Sequence, residues 1–165
     1  MNDVGPLKDV FEALLRLSTA ALIGGTLGLN RALRDKPAGL RTHALVAVGA
    51  ALATYLSIEV TTLGQIADMG AVTRVIQGVL TGIGFIGAGV IFRDAGGKKV
   101  TGLTTAAEIW VVACLGIACG AGRWRTALAA FAITLAVLLF GGPFEQAAHR
   151  LLRPTDKGEP PTDTG

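Results

Sequence analysis

Charge is scarce in this chain. Only 16% of its 165 residues are Asp, Glu, Lys or Arg, where a soluble domain usually carries about 25%. The few charges are also clustered, which leaves long apolar runs between them. Hydrophobic residues make up 51% of the sequence, and the mean hydropathy is +0.55. Too little polar surface is left to cover a water-facing globule, so a soluble enzyme is excluded and lipid is the expected solvent. Cysteine is nearly absent. Cys114 and Cys119 lie in one apolar run without a CxxC or metal-ligand pattern, and read as buried small side chains rather than a disulfide or a metal site. No Ser/His/Asp arrangement, P-loop or H-E-x-x-H is present. No catalytic residue, cofactor or resident metal is therefore assigned. The net charge of +3 is no nucleic-acid signal, because the basic residues sit in short loops between apolar runs. The start does not read as a secretory leader, since Asp3, Asp9 and Glu12 stand where a basic start is needed and Arg16 interrupts the first apolar run, which is expected to remain as a membrane span.

What the chain has is apolar segments of membrane-crossing length, roughly 20 residues for about 30 Å of hydrocarbon. Five qualify: about Phe11–Leu29, Thr42–Ile58, Val72–Phe92, Gly102–Gly120 and Trp124–Gly141. The expected fold is all-α, an integral membrane bundle of five transmembrane helices over residues 1–142, with a short, partly disordered tail at 143–165. Within that tail, Phe144–Leu152 reads as a short amphipathic surface helix after Pro143. Orientation follows from Lys and Arg. Arg31, Arg34, Lys36, Arg41, Arg93, Lys98, Lys99, Arg150, Arg153 and Lys157 fall on one side, against Lys8, Arg74, Arg123 and Arg125 on the other. The positive-inside rule then puts the N-terminus in the periplasm and the C-terminus in the cytoplasm.

Glycine is plentiful, with 23 residues, and it sits inside the apolar runs. Gly82, Gly84 and Gly87 match G-x-G-x-x-G, but they lie mid-span, with Gly102 rather than an acidic residue 20 positions after Gly82. That excludes a dinucleotide site. The spacing of Gly78 with Gly82, and of Gly84 with Ala88, instead predicts close helix packing, with Gly87 beside them and span three central in the bundle. A GxxxG face can also pair two copies of the chain.

Polar groups inside spans are costly and usually face the bundle interior or water. Arg16 and Gln77 lie near the outer ends of their spans, where snorkelling or cross-helix bonding is expected. Trp110 is expected to pack mid-span. Glu108 lies roughly 9 Å into span four at 1.5 Å per residue. Its expected partners are at the cytoplasmic ends of the other spans: Asn30, Arg31, Arg41, His43 and Arg93. Thr101, Thr104, Thr105 and Glu108 share one side of the helix. With Thr42 and Asp94 they make one polar cluster at the cytoplasmic mouth, either a salt-bridged clamp or a binding surface. Asp94 and Glu108 alone are thin for a magnesium cage.

Several segments carry a family resemblance. Lys36–His43 reads KPAGLRTH, Arg74–Asp94 reads RVIQGVLTGIGFIGAGVIFRD, and Gly102–Ala107 reads GLTTAA, followed by Trp110 and by ACGAG at Ala118–Gly122. Over about Arg16–Leu139 the chain resembles the membrane domain of the MgtC/SapB family. The resemblance implies a bacterial inner-membrane protein of about five spans, linked to growth in low magnesium and survival inside macrophages. It implies a non-enzymatic modulator of other membrane proteins, including the F-type ATP synthase, so the expected partners are the bilayer and another integral membrane protein. The alternative is a small Mg²⁺ transporter or channel. The chain departs from the family pattern at Asn30, where many relatives carry an acidic residue. It also has a short tail where many carry a cytoplasmic domain.

Overall fold

The computed structural model describes residues 5–34, 36–63, 69–93 and 100–152. Five helices carry the chain: α1 Gly5–Ala32, α2 Leu40–Leu63, α3 Met69–Gly89, α4 Leu103–Gly120 and α5 Trp124–Leu152. Each contains a stretch long and apolar enough to cross a membrane, so the expected helical chain with five span-length apolar helices is found. The only other regular structure among the described residues is a two-residue antiparallel pair, β1 Phe92–Arg93 with β2 Val100–Thr101, in the register Phe92 to Thr101.

By internal contacts the chain forms two compact units, Met1–Ala132 and Ile133–Gly165. The second unit's described part is the remainder of α5. That helix runs through Pro143 to Leu152, so the separate surface helix expected at Phe144–Leu152 is instead a continuation of the fifth span. Proline removes one backbone donor, and in a membrane helix local adjustment absorbs that loss.

In the first unit α2 and α4 form the centre: they pack on each other, and each also packs against α1 and α3. The core is a seam of small and branched residues at helical spacing: Ala20, Ile23 and Leu27 on α1, Ala47, Ala50, Ala51 and Thr54 on α2, and Ile109, Val112, Ala113, Leu115 and Cys119 on α4. Lipid tails are as apolar as these side chains, so close van der Waals approach rather than hydrophobic transfer must hold the helices together. Glycines permit that approach. A Cβ on Gly116 would lie 2.3 Å from the Ala47 carbonyl oxygen, and one on Gly120 would lie 2.2 Å from that of Ala51. On α1, a Cβ on Gly24 would stand 2.6 Å from the His43 oxygen, and one on Gly28 would stand 2.8 Å from the Gly39 oxygen.

These pairs correct the expectation for span three. Gly78, Gly82 and Gly84 have nothing within 4 Å of an added Cβ, and Ala88 is exposed. Only Gly87 packs, in ordinary contact with Ala106. The close-packing glycines lie on α1 and α4, and α2 and α4 rather than α3 take the central place, because GxxxG spacing marks a notch without saying which helix fills it. Trp110 is likewise 47% exposed rather than packed within the chain.

Candidate functional site

The seams of α1, α2 and α4 each end in a polar residue. Arg31 follows Leu27 by one helical turn, His43 precedes Ala47 by one turn, and Glu108 adjoins Ile109 one turn before Val112. Residues four apart share a helix face, so the faces that build the apolar core also bring these three groups together at one end of it. All three are buried: Arg31 is 6%, His43 0% and Glu108 3% exposed.

The Arg31 Nε stands 3.0 Å from Glu108 Oε2. Its N–H is not aligned on that oxygen, and both atoms lack a well-directed hydrogen bond among the described residues. The contact is therefore an ion pair rather than a bidentate fork. Arg31 also donates through a terminal nitrogen to the Thr105 hydroxyl. On the other side, Glu108 Oε1 faces His43 Nε2 at 3.7 Å, within ion-pair range but too long for a hydrogen bond. His43 Nδ1 is 3.1 Å from the Gly39 carbonyl oxygen. A carbonyl only accepts, so Nδ1 carries the proton of that bond.

The backbone around the cluster is set by two close passages. Gly28 lets the end of α1 lie against Gly39 and Leu40 at the entry to α2. Gly102 adopts φ 90°, and a Cβ there would lie 1.9 Å from the Val90 oxygen. Both the left-handed conformation and the contact require glycine, and together they place Thr105 and Glu108 on the first turns of α4. Beside the cluster opens a cavity of about 440 Å³ lined by Arg31, Lys36, Pro37, Val90, Phe92 and Val100–Thr105.

Of the sequence-expected cluster, the structure unites Arg31, His43, Thr105 and Glu108. Thr104 is exposed and lines the cavity. Asn30 and Thr42 are half-buried, while Arg41 and Arg93 are exposed. None of these four is in contact with Glu108 through an observed ion pair or hydrogen bond. Asp94 lies outside the described residues. No group of three or more His, Cys, Asp or Glu able to hold a metal occurs among the described residues.

A second polar knot lies at the opposite end of the bundle. Arg16 donates to the Gly120 carbonyl at 2.5 Å, pairs with Glu12, and lies over the Tyr55 ring at 5.3 Å. Of the two readings for Arg16, cross-helix bonding is the one realised. Its guanidinium satisfies a carbonyl at the end of α4 that has no intrahelical donor. The Gly120 partner of Arg16 has no signal in the sequence, whereas the glycine pairs of α1 and α4 do. Gly24 with Gly28, and Gly116 with Gly120, carry the same spacing signal as Gly78 with Gly82.

The chain is similar to several curated proteins. It is 41% identical over 139 residues to SrpB of Synechococcus elongatus, covering 81% of this chain and 76% of that protein. It is 39% identical over 142 residues to MgtC of Salmonella typhimurium, covering 86% of this chain and 56% of that protein. It is 37% identical over 146 residues to YhiD of Escherichia coli K12, which is named as a candidate magnesium transporter, covering 86% of this chain and 64% of that protein. The chain thus spans little more than half of the Salmonella relative. No solved structure matches it. The MgtC family model matches residues 17–147, a stretch that includes Arg31, His43 and Glu108 and the core seams of α1, α2 and α4, and on that match the chain belongs to the MgtC family.

Proposed function

We propose that the chain is a non-enzymatic, inner-membrane modulator of another integral membrane protein, acting in adaptation to low magnesium or to life inside a host cell. The observation that carries this reading is the free notched face of α3. Gly78 and Gly82 have nothing within 4 Å of an added Cβ, and with Val79, Ile83 and Ile86 of α3 and Gly49 of α2 they line a groove with a volume of about 460 Å³. Small residues let a second helix approach closely, and in lipid that approach supplies the association energy. The groove suits one transmembrane helix of a partner protein. The positive-inside count supports a cytoplasmic placement of the Lys36 loop.

The transporter reading draws on the name of the Escherichia coli relative. It needs Glu108 to line an ion path, whereas Glu108 is engaged by Arg31 and His43 inside the bundle. Photocrosslinking from Val79 in native membranes separates the two. A discrete adduct with another membrane protein, lost in Gly82→Ile, is the expected result. Adducts with lipid alone, together with Mg²⁺ flux in proteoliposomes that disappears in Glu108→Gln, would replace the modulator by the transporter.

A further inference from the structure

We infer that Glu108 and His43 hold one exchangeable proton between them, forming a buried proton-binding site that is reached from the cavity at the start of α4. The argument is one of donors and acceptors. His43 Nδ1 is committed to the Gly39 carbonyl, so in the neutral ring Nε2 carries a lone pair. Nε2 faces Glu108 Oε1 at 3.7 Å, and an ionised carboxylate only accepts. With no proton between them, a lone pair meets an anionic oxygen in a site where neither atom has another partner among the described residues. One added proton removes the conflict in either of two forms, imidazolium beside carboxylate or imidazole beside carboxylic acid. The two forms have the same net charge, so the pair titrates as a unit rather than as two independent groups.

The surroundings suit a single exchangeable proton. Arg31 of α1 stands at Oε2 and is a cation in both forms. His43 is the titratable group facing Glu108 from α2. The one charged residue of α3, Arg74, lies near the helix end remote from Gly87 and Ala106. Arg31 and Thr105 border both the cluster and the cavity, which gives the proton a short route from the aqueous side without crossing the apolar seam. The site also has a mechanical consequence. His43 sits on the first turn of α2, and its backbone packs on Gly24. Loss of the proton therefore acts where α1, α2 and α4 meet.

The sequence makes the test direct, because the chain has only two histidines. Imidazole ¹⁵N spectra of the full-length protein in bilayers, with His149→Gln to leave His43 alone, are recorded across pH beside ¹³C-carboxyl spectra of Glu108. The expected result is a His43 Nδ1 that stays protonated while Nε2 and the Glu108 carboxyl change together, through one transition that releases one proton per chain. In Glu108→Gln that joint transition is lost. Because the unsubstituted site is read first, the test does not depend on that variant folding. A His43 Nε2 and a Glu108 carboxyl that both stay constant wherever the protein remains folded would overturn the proposal. So would a His43 transition unchanged in Glu108→Gln. The measurement uses the purified chain and is independent of whether any partner protein is found.

Discussion

Replacing Gly116 or Gly120 by alanine tests the architecture most directly. Each substitution adds one methyl carbon, at 2.3 Å from the Ala47 oxygen or 2.2 Å from the Ala51 oxygen. These neighbours are backbone atoms in the middle of α2, so no side chain can rotate away, and α2 and α4 must separate along the seam. Overpacking of this kind costs about 1–3 kcal/mol per site. That is a factor of roughly 5 to 150 in the folded-to-unfolded ratio, where 1.4 kcal/mol corresponds to tenfold. Intrinsic preference acts the other way, since alanine is the better helix former by about 0.8–1.0 kcal/mol, and the contact must exceed that gain. The matched control is Gly78→Ala with Gly82→Ala, where nothing lies within 4 Å and only the gain in helix preference remains. Equilibrium unfolding in mixed detergent micelles measures all four. The reasoning fails if the α3 substitutions destabilise while those on α4 are neutral or stabilising.

The other predictions concern the polar knots and the turns. Arg31→Met leaves Glu108 buried without its cation and is expected to cost about 3–5 kcal/mol, while Arg31→Met combined with Glu108→Met recovers most of that loss; thermal unfolding in detergent reads both. Arg16→Met removes the donor from Gly120 and should lower stability by about 1.5–3 kcal/mol, as expected for a hydrogen bond from a charged group, measured in the same way. Gly102→Ala forces a side chain into a left-handed backbone and onto the Val90 oxygen; accelerated hydrogen exchange in the first turns of α4 is the expected result. Ala38 has φ 58°, so Ala38→Gly is expected to be neutral or stabilising by up to about 1 kcal/mol, seen as an unchanged or raised melting temperature.

Some of this protein was legible without coordinates. Five spans follow from apolar length, because backbone groups in lipid must pair within their own helix. Glu108 was singled out because a carboxylate there is costly, and Arg31 and His43 were among its expected partners because they lie at the matching depth in neighbouring spans. Pairing between helices was not legible. Gly24–Gly28, Gly78–Gly82 and Gly116–Gly120 are the same local pattern, and only their rotation toward or away from a neighbour decides which are filled. Trp110 and Arg16 show the same limit: depth along the membrane can be counted from the sequence, while azimuth around the helix axis depends on every other helix in the bundle. The residue types and their spacing thus determined the spans and the depth of each polar group. The tertiary structure alone decided that α2 and α4 are central, that α3 presents an open face, and that one histidine and one arginine close on Glu108. Those outcomes depend on contacts between segments distant in sequence, and local propensity carries no information about them.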